Sequence, residues 1–142
     1  MLNIENYTTL EINQKHLETI SNFLTTREID LTICYNHTIK QYNLQFRGKN
    51  SPTDVLSFPL DSSEIEQIPL GSIVISADYI MENSKTLGHS LSDELSLLFI
   101  HGILHLLGYD HEVDSGQMRA EEEALIKEFN LPKSLIVRTE KN

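Results

Sequence analysis

The chain has no tryptophan, one cysteine, four prolines and six glycines in 142 residues. A single cysteine excludes an internal disulfide framework. Set among Leu31, Ile33 and Tyr35, Cys34 reads as a small buried hydrophobe without a redox role. With no internal repeat, low-complexity tract or Pro/Gly-rich linker, residues 1–142 are expected to form one domain. Long apolar runs are missing as well. Residues 95–107 form the longest, broken by His101, Gly102 and His105 and short of the ~20 residues a membrane span needs, so no membrane insertion is expected. Residues 1–6 carry neither a basic n-region nor an apolar h-region, which points to the cytoplasm.

Positive charge is scarce: 11 Lys and Arg stand against 21 Asp and Glu, a net charge of −10. That balance ordinarily argues against a nucleic-acid partner. The distribution complicates it, because residues 31–53 hold Lys40, Arg47 and Lys49 and no acid at all. This segment is the one candidate for an electropositive surface.

What is present is an α+β pattern: a small mixed β-sheet packed with several helices. Apolar residues fall at helical spacing over residues 10–24, and residues 30–35 form a short β-rich run. A weaker helical stretch covers 37–46 before Gly48-Lys49-Asn50-Ser51-Pro52 breaks the chain. A strand is expected over 53–58, stopped by Pro59, then a polar loop over 61–69. A β-branched run at 71–76 continues into a helix closed by Gly88. The next helix takes Ser92 as its N-cap, with Asp93 and Glu94 in its first turn, and stops at Gly108. A last helix is expected over 114–129, and both termini are expected to fray.

Chemistry concentrates in residues 101–111, His-Gly-Ile-Leu-His-Leu-Leu-Gly-Tyr-Asp-His. His101 and His105 are i and i+4 on a helix, so their imidazoles project side by side from one face. Gly108 lets the chain turn so that His111 can swing back to the same ion. Three neutral nitrogen ligands with an open fourth position describe a catalytic zinc site, although nickel or copper would also accept them. The spacing H-x-x-x-H-x-x-G-x-x-H is that of the metzincin proteases, which carry a Glu after the first His as general base. Here that position is Gly102, which counts against peptide hydrolysis.

The block at 101–111 resembles the hallmark H-G-x-L-H-L-x-G-Y-D-H of the YbeY family of bacterial endoribonucleases that mature ribosomal RNA. A second family block, P-T-D-V-L-S-F-P, stands at residues 52–59, and the likeness extends to residues 43–47, the run from Leu70, Met118 and Glu122. The family usually has Asp where Ser72 stands. The resemblance implies that His101, His105 and His111 hold one zinc ion per chain and that Arg47 is the catalytic arginine, facing the metal across a cleft. It implies single-strand endonucleolytic cleavage in 16S rRNA 3′-end maturation and ribosome quality control, with the small ribosomal subunit and its assembly proteins as partners. A zinc ion and a guanidinium fork would stabilise from two sides the charge that builds on a phosphodiester during cleavage. Whether water or the ribose 2′-OH attacks stays open.

Other residues carry weaker expectations. Lys49 and Lys40 either track phosphates or are solvated charge. Asp54 and Ser57 are candidate polar anchors for substrate on a strand whose Val55, Leu56 and Phe58 pack inward. Asp110 and Glu112 either orient imidazoles or are exposed acids. Glu122 lies on a charged helix face yet could reach an inward partner, and Met118 reads as core. Given the acidic charge, weak affinity for naked RNA is expected. Two other readings stand beside the ribonuclease: a metallopeptidase, and a metal-stabilised ribosome-binding factor without important turnover.

Overall fold

Residues 1–60 and 69–132 are described by a computed structural model. The polar loop expected over 61–69, apart from Pro69, and the C-terminal end lie outside the described residues.

Alternating apolar residues build a four-stranded sheet from β1 (Leu2–Asn6), β2 (Ile29–Cys34), β3 (Val55–Pro59) and β4 (Gly71–Ser76), in the order β1-β2-β4-β3. The first three strands of that order are parallel, and β3 pairs antiparallel to β4 at the edge. The mixed α+β architecture is thus as expected, but the N-terminus is not frayed. Leu2 and Ile4 point inward with Asn3 and Glu5 between them, a period of two that five residues suffice to pair in register with Ile29 and Leu31. Pro59 does not stop β3 but forms its last pair, with Gly71, at an edge that tolerates its missing N–H.

The two faces of the sheet are covered differently. Ile29, Leu31, Ile33, Ile73 and Ile75 join the large core with α1 (Gln14–Leu24) and α4 (Leu91–Leu106). Cys34, Leu56 and Val74 face the other way, against Ile39 of α2 (Asn36–Arg47). Ser72 alternates with Ile73 and so lies on the α2 side, away from the face where α4 packs. Apolar nearly all round, α4 is buried along almost its whole length. It starts one turn fraction earlier than expected: Ser90, not Ser92, is the N-cap, its hydroxyl accepting from the Asp93 amide at 3.0 Å, while the Ser92 carbonyl accepts from Ser96. The helix α3 (Ala77–Leu87) packs beside it and ends at Gly88, whose φ of 76° suits glycine.

The last helix, α5 (Gln117–Glu128), is shorter than the expected 114–129. Asp114 is not its first residue but its cap from upstream: its carboxylate accepts the amides of Gly116 at 2.8 Å and Met118 at 3.0 Å. Those bonds hold the Asp114 carboxyl below its ordinary value. Met118 is fully buried, as expected. Cys34 is buried too, and desolvation pushes its thiol up to about 11, which keeps it protonated and inert.

Candidate metal centre and cleft

The end of α4 decides the site. Gly108 adopts a φ of 102°, and the Gly108 amide donates to the His105 carbonyl while the Tyr109 amide donates to that of Leu104, both at 3.0 Å. This pair of bonds is the Schellman motif, which reverses the chain and returns His111 towards the helix. His101, His105 and His111 then form a triangle with ring centroids 4.7, 5.5 and 5.6 Å apart. One nitrogen of each lies within 4.8 Å of the others.

Three observations fit this triangle to a metal ion. The Nε2 atoms of His101 and His105 are 3.1 Å apart, close to the ~3.3 Å edge of a tetrahedral site with zinc–nitrogen bonds of about 2.0–2.1 Å. Nδ1 of His111 is buried without a hydrogen-bond partner among the described residues, an unusual condition for a polar atom and one that a metal ion bound at that nitrogen would satisfy. Burial first, then the neighbouring His101 and His111, lower the pKa of His105, opposed by a hydrogen bond to the Tyr109 backbone. A neutral imidazole is the form that binds metal.

Behind the triangle, His101 Nδ1 donates to Oε1 of Glu122 on α5 at 3.0 Å, with both residues buried. A carboxylate only accepts, so the proton resides on Nδ1 and the Nε2 lone pair faces the other imidazoles. Glu122 is therefore the inward-reaching acid. Asp110 and Glu112 line the cleft, but the Asp110 carboxylate accepts from the Glu112 amide rather than from a ring nitrogen.

The histidines open on a cleft of about 560 Å³ whose wall also includes Arg47, Asp54 and Ser57. Arg47, in the last turn of α2, makes no ion pair among the described residues. One turn before it on the same helix, buried Asn43 donates from its side chain to the Ser51 carbonyl at 2.8 Å and ties down the loop after Gly48. In the sequence Asn43 stands out only as the first residue of the 43–47 likeness, and no local pattern gives its bond to the loop. Oδ1 of Asp54 accepts from the Val55 amide at 2.8 Å, and the Ser57 hydroxyl donates to the Gly102 carbonyl at 3.2 Å, fastening β3 to α4 beside His101. Lys49 is exposed on the loop and does not line the cleft.

Gly102 settles the peptidase comparison. A Cβ there would lie 2.9 Å from Cγ2 and 3.0 Å from Cδ1 of Ile73, because this side of α4 presses on the sheet. A general-base carboxylate after His101 would point into the core, so the metallopeptidase reading is not favoured.

Three imidazoles from α4 and the turn after it, and an arginine from the end of α2, meet in one cleft beside the mixed sheet, the arrangement of a metal-site hydrolase. The family model described as endoribonuclease YbeY matches residues 3–130. A protein named endoribonuclease YbeY from Sulfurovum sp. is 53% identical, covering 99% of this chain and 98% of that relative. Another of that name, from Helicobacter pylori, is 52% identical and covers 99% of both. A solution structure from Thermotoga maritima superimposes with a TM-score of 0.62 at 29% identity, covering 91% of this chain and 89% of its own. The chain belongs to the endoribonuclease YbeY family.

Proposed function

We propose that the chain is a zinc-dependent endoribonuclease that cuts single-stranded RNA in the maturation of ribosomal RNA, at the 3′ end of 16S rRNA, in the cytoplasm. The observation that carries this reading is the convergence of three imidazoles and Arg47 on one cleft. Residues present fit one zinc per chain on His101, His105 and His111, and such an ion supplies Lewis-acid polarisation of a phosphoryl oxygen. The partners this reading names are the small ribosomal subunit and its assembly proteins; among the described residues no helix is long and apolar enough to cross a membrane.

The chain's own residues divide the remaining work. Glu122 holds the His101 tautomer and ring orientation. Arg47 offers a guanidinium fork to the non-bridging oxygens, where charge grows during cleavage. Asp54 and Ser57 shape the wall that receives the strand, and Lys49 meets phosphates beyond the cleft. With a net charge of −10, affinity rests on such local contacts and on ribosomal targeting rather than on bulk attraction to RNA.

Elemental analysis of untagged protein, run with cleavage of ribosomal RNA by wild type, Arg47→Ala and His105→Ala, tests the reading. About one zinc per chain is expected, with cleavage lost in both variants while Arg47→Ala keeps its metal and fold. Zinc without cleavage, or cleavage indifferent to both substitutions, would leave a metal-stabilised ribosome-binding factor as the better account.

A further inference from the structure

On the far side of β3 from the histidines, three aromatic rings meet. Phe46 stacks on Tyr42 with centroids 6.3 Å apart and planes 18° off parallel, and meets Phe58 edge-on at 5.2 Å. Tyr42 and Phe58 are half-buried and packed on the small core of Ile39 and Leu56, so they are fixed. Phe46 is 57% exposed and completes the cluster as an open ring. Solvent exposure of a large aromatic in the last turn of a helix costs apolar burial without contributing to the core.

The surroundings identify what covers it. Phe46 directly precedes Arg47, and Phe58 lies between Ser57 and Pro59, all three of these neighbours lining the cleft. The rings therefore begin where the cleft ends, across the width of one edge strand. Tyr42 and Phe46 also sit in the acid-free segment that carries Lys40, Arg47 and Lys49, in a chain otherwise dominated by acids. Flat π-faces beside isolated cations are what unpaired nucleobases and their phosphates require, and stacking is sequence-tolerant because every base has a π-face. In a protein of net charge −10, stacking also supplies affinity that phosphate attraction does not.

We infer that Phe46, backed by Tyr42 and Phe58, is a stacking platform for a nucleobase of the single-stranded RNA that flanks the phosphate held in the cleft. The inference rests on the ribonuclease reading above and names a binding subsite for its substrate. Phe46 is a substrate-positioning residue, so its removal acts on KM more than on kcat.

The test uses the full chain with zinc and single-stranded RNA oligonucleotides. Phe46→Ala should raise KM about tenfold, the equivalent of one lost stack, while Phe46→Tyr restores it. Phe23→Ala is the matched control, since Phe23 is also 57% exposed but packs on Phe129, away from the cleft. Abasic substitution scanned along the RNA should find one position whose removal costs wild type about tenfold and Phe46→Ala nothing further. A 2-aminopurine base at that position should be quenched on binding to wild type and not to Phe46→Ala, a readout independent of cleavage. Quenching without cleavage would support the platform and count against the ribonuclease reading instead. Cleavage with KM unmoved by Phe46→Ala, abasic costs that persist in the variant, or loss of ribosomal-subunit binding with KM for RNA unchanged would each overturn the platform, the last by assigning the patch to a protein.

Discussion

His101 on α4 and Glu122 on α5 are joined by a 3.0 Å hydrogen bond from the imidazole Nδ1 to a carboxylate oxygen, with both residues buried. The bond ties the metal triangle to a helix that supplies no ligand. It also leaves Oε2 of Glu122 buried without a partner among the described residues, so the acid is held in place for the sake of one contact.

Removing this acid should weaken the metal site without dismantling it. Glu122→Ala is expected to lower zinc affinity 10- to 100-fold, the usual scale for losing a carboxylate behind a ligating histidine. Glu122→Gln, whose amide oxygen can still accept from Nδ1, should lose less. Competition titration against a chromophoric chelator measures both. Equal affinity in all three proteins would mean that His101 is oriented by its helix alone.

How much of this was legible beforehand depends on the range of the interaction. The three histidines and Gly108 act within eleven residues, where helical periodicity and one left-handed glycine settle the geometry, so their spacing alone announced the site. Glu122 is 21 residues from His101, and a run of three glutamates looks the same whether one faces in or all face out. Asn43 stood only at the start of the 43–47 likeness, and its role was not legible, since its work is a bond to a loop carbonyl that only the folded chain brings near. The strand at residues 2–6 was hidden for a similar reason: five residues show too little alternation until β2 is present to pair with them.

Asn43 fastens the loop that follows Arg47 back onto α2, and the expected consequence is a fixed Arg47. Asn43→Ala removes the donor to the Ser51 carbonyl and should cost about 1–3 kcal/mol of stability if that carbonyl is left unpaired. Asn43→Asp is the sharper variant, because it keeps the shape and has no N–H to donate. Both should cut RNA cleavage about tenfold or more with zinc content unchanged, as a misplaced guanidinium would. Cleavage at the wild-type rate in Asn43→Asp would show that Arg47 is positioned independently of the loop.

Gly102 is required by packing rather than by chemistry. The added Cβ of Gly102→Ala would crowd Ile73 at 2.9 Å and should cost about 1–3 kcal/mol, a drop of several degrees in Tm. Gly102→Glu, which restores the metzincin spacing on paper, forces a carboxylate against the sheet and should yield misfolded protein rather than a peptidase. Thermal melts and a casein digestion assay decide it. A folded, zinc-loaded Gly102→Glu variant that digests casein would reverse the assignment of that helix face.

Asp114 links pH to the helix that carries Glu122. Its carboxylate accepts from the Gly116 and Met118 amides, and these bonds, in that order, hold its pKa below the ordinary 3.8. A carboxyl whose pKa is depressed by folding stabilises the native state above its unfolded value and loses that contribution as pH falls through the folded one. Wild type should therefore melt above Asp114→Ala at pH 7, and the gap should close as the pH is taken below 3.8. With that end of α5 no longer capped, Asp114→Ala should also weaken zinc binding, by less than Glu122→Ala does. A gap in Tm that persists unchanged in acid would mean that Asp114 acts by shape or by its neutral hydrogen bonds, and that the charge at the start of α5 contributes nothing to holding His101 in place.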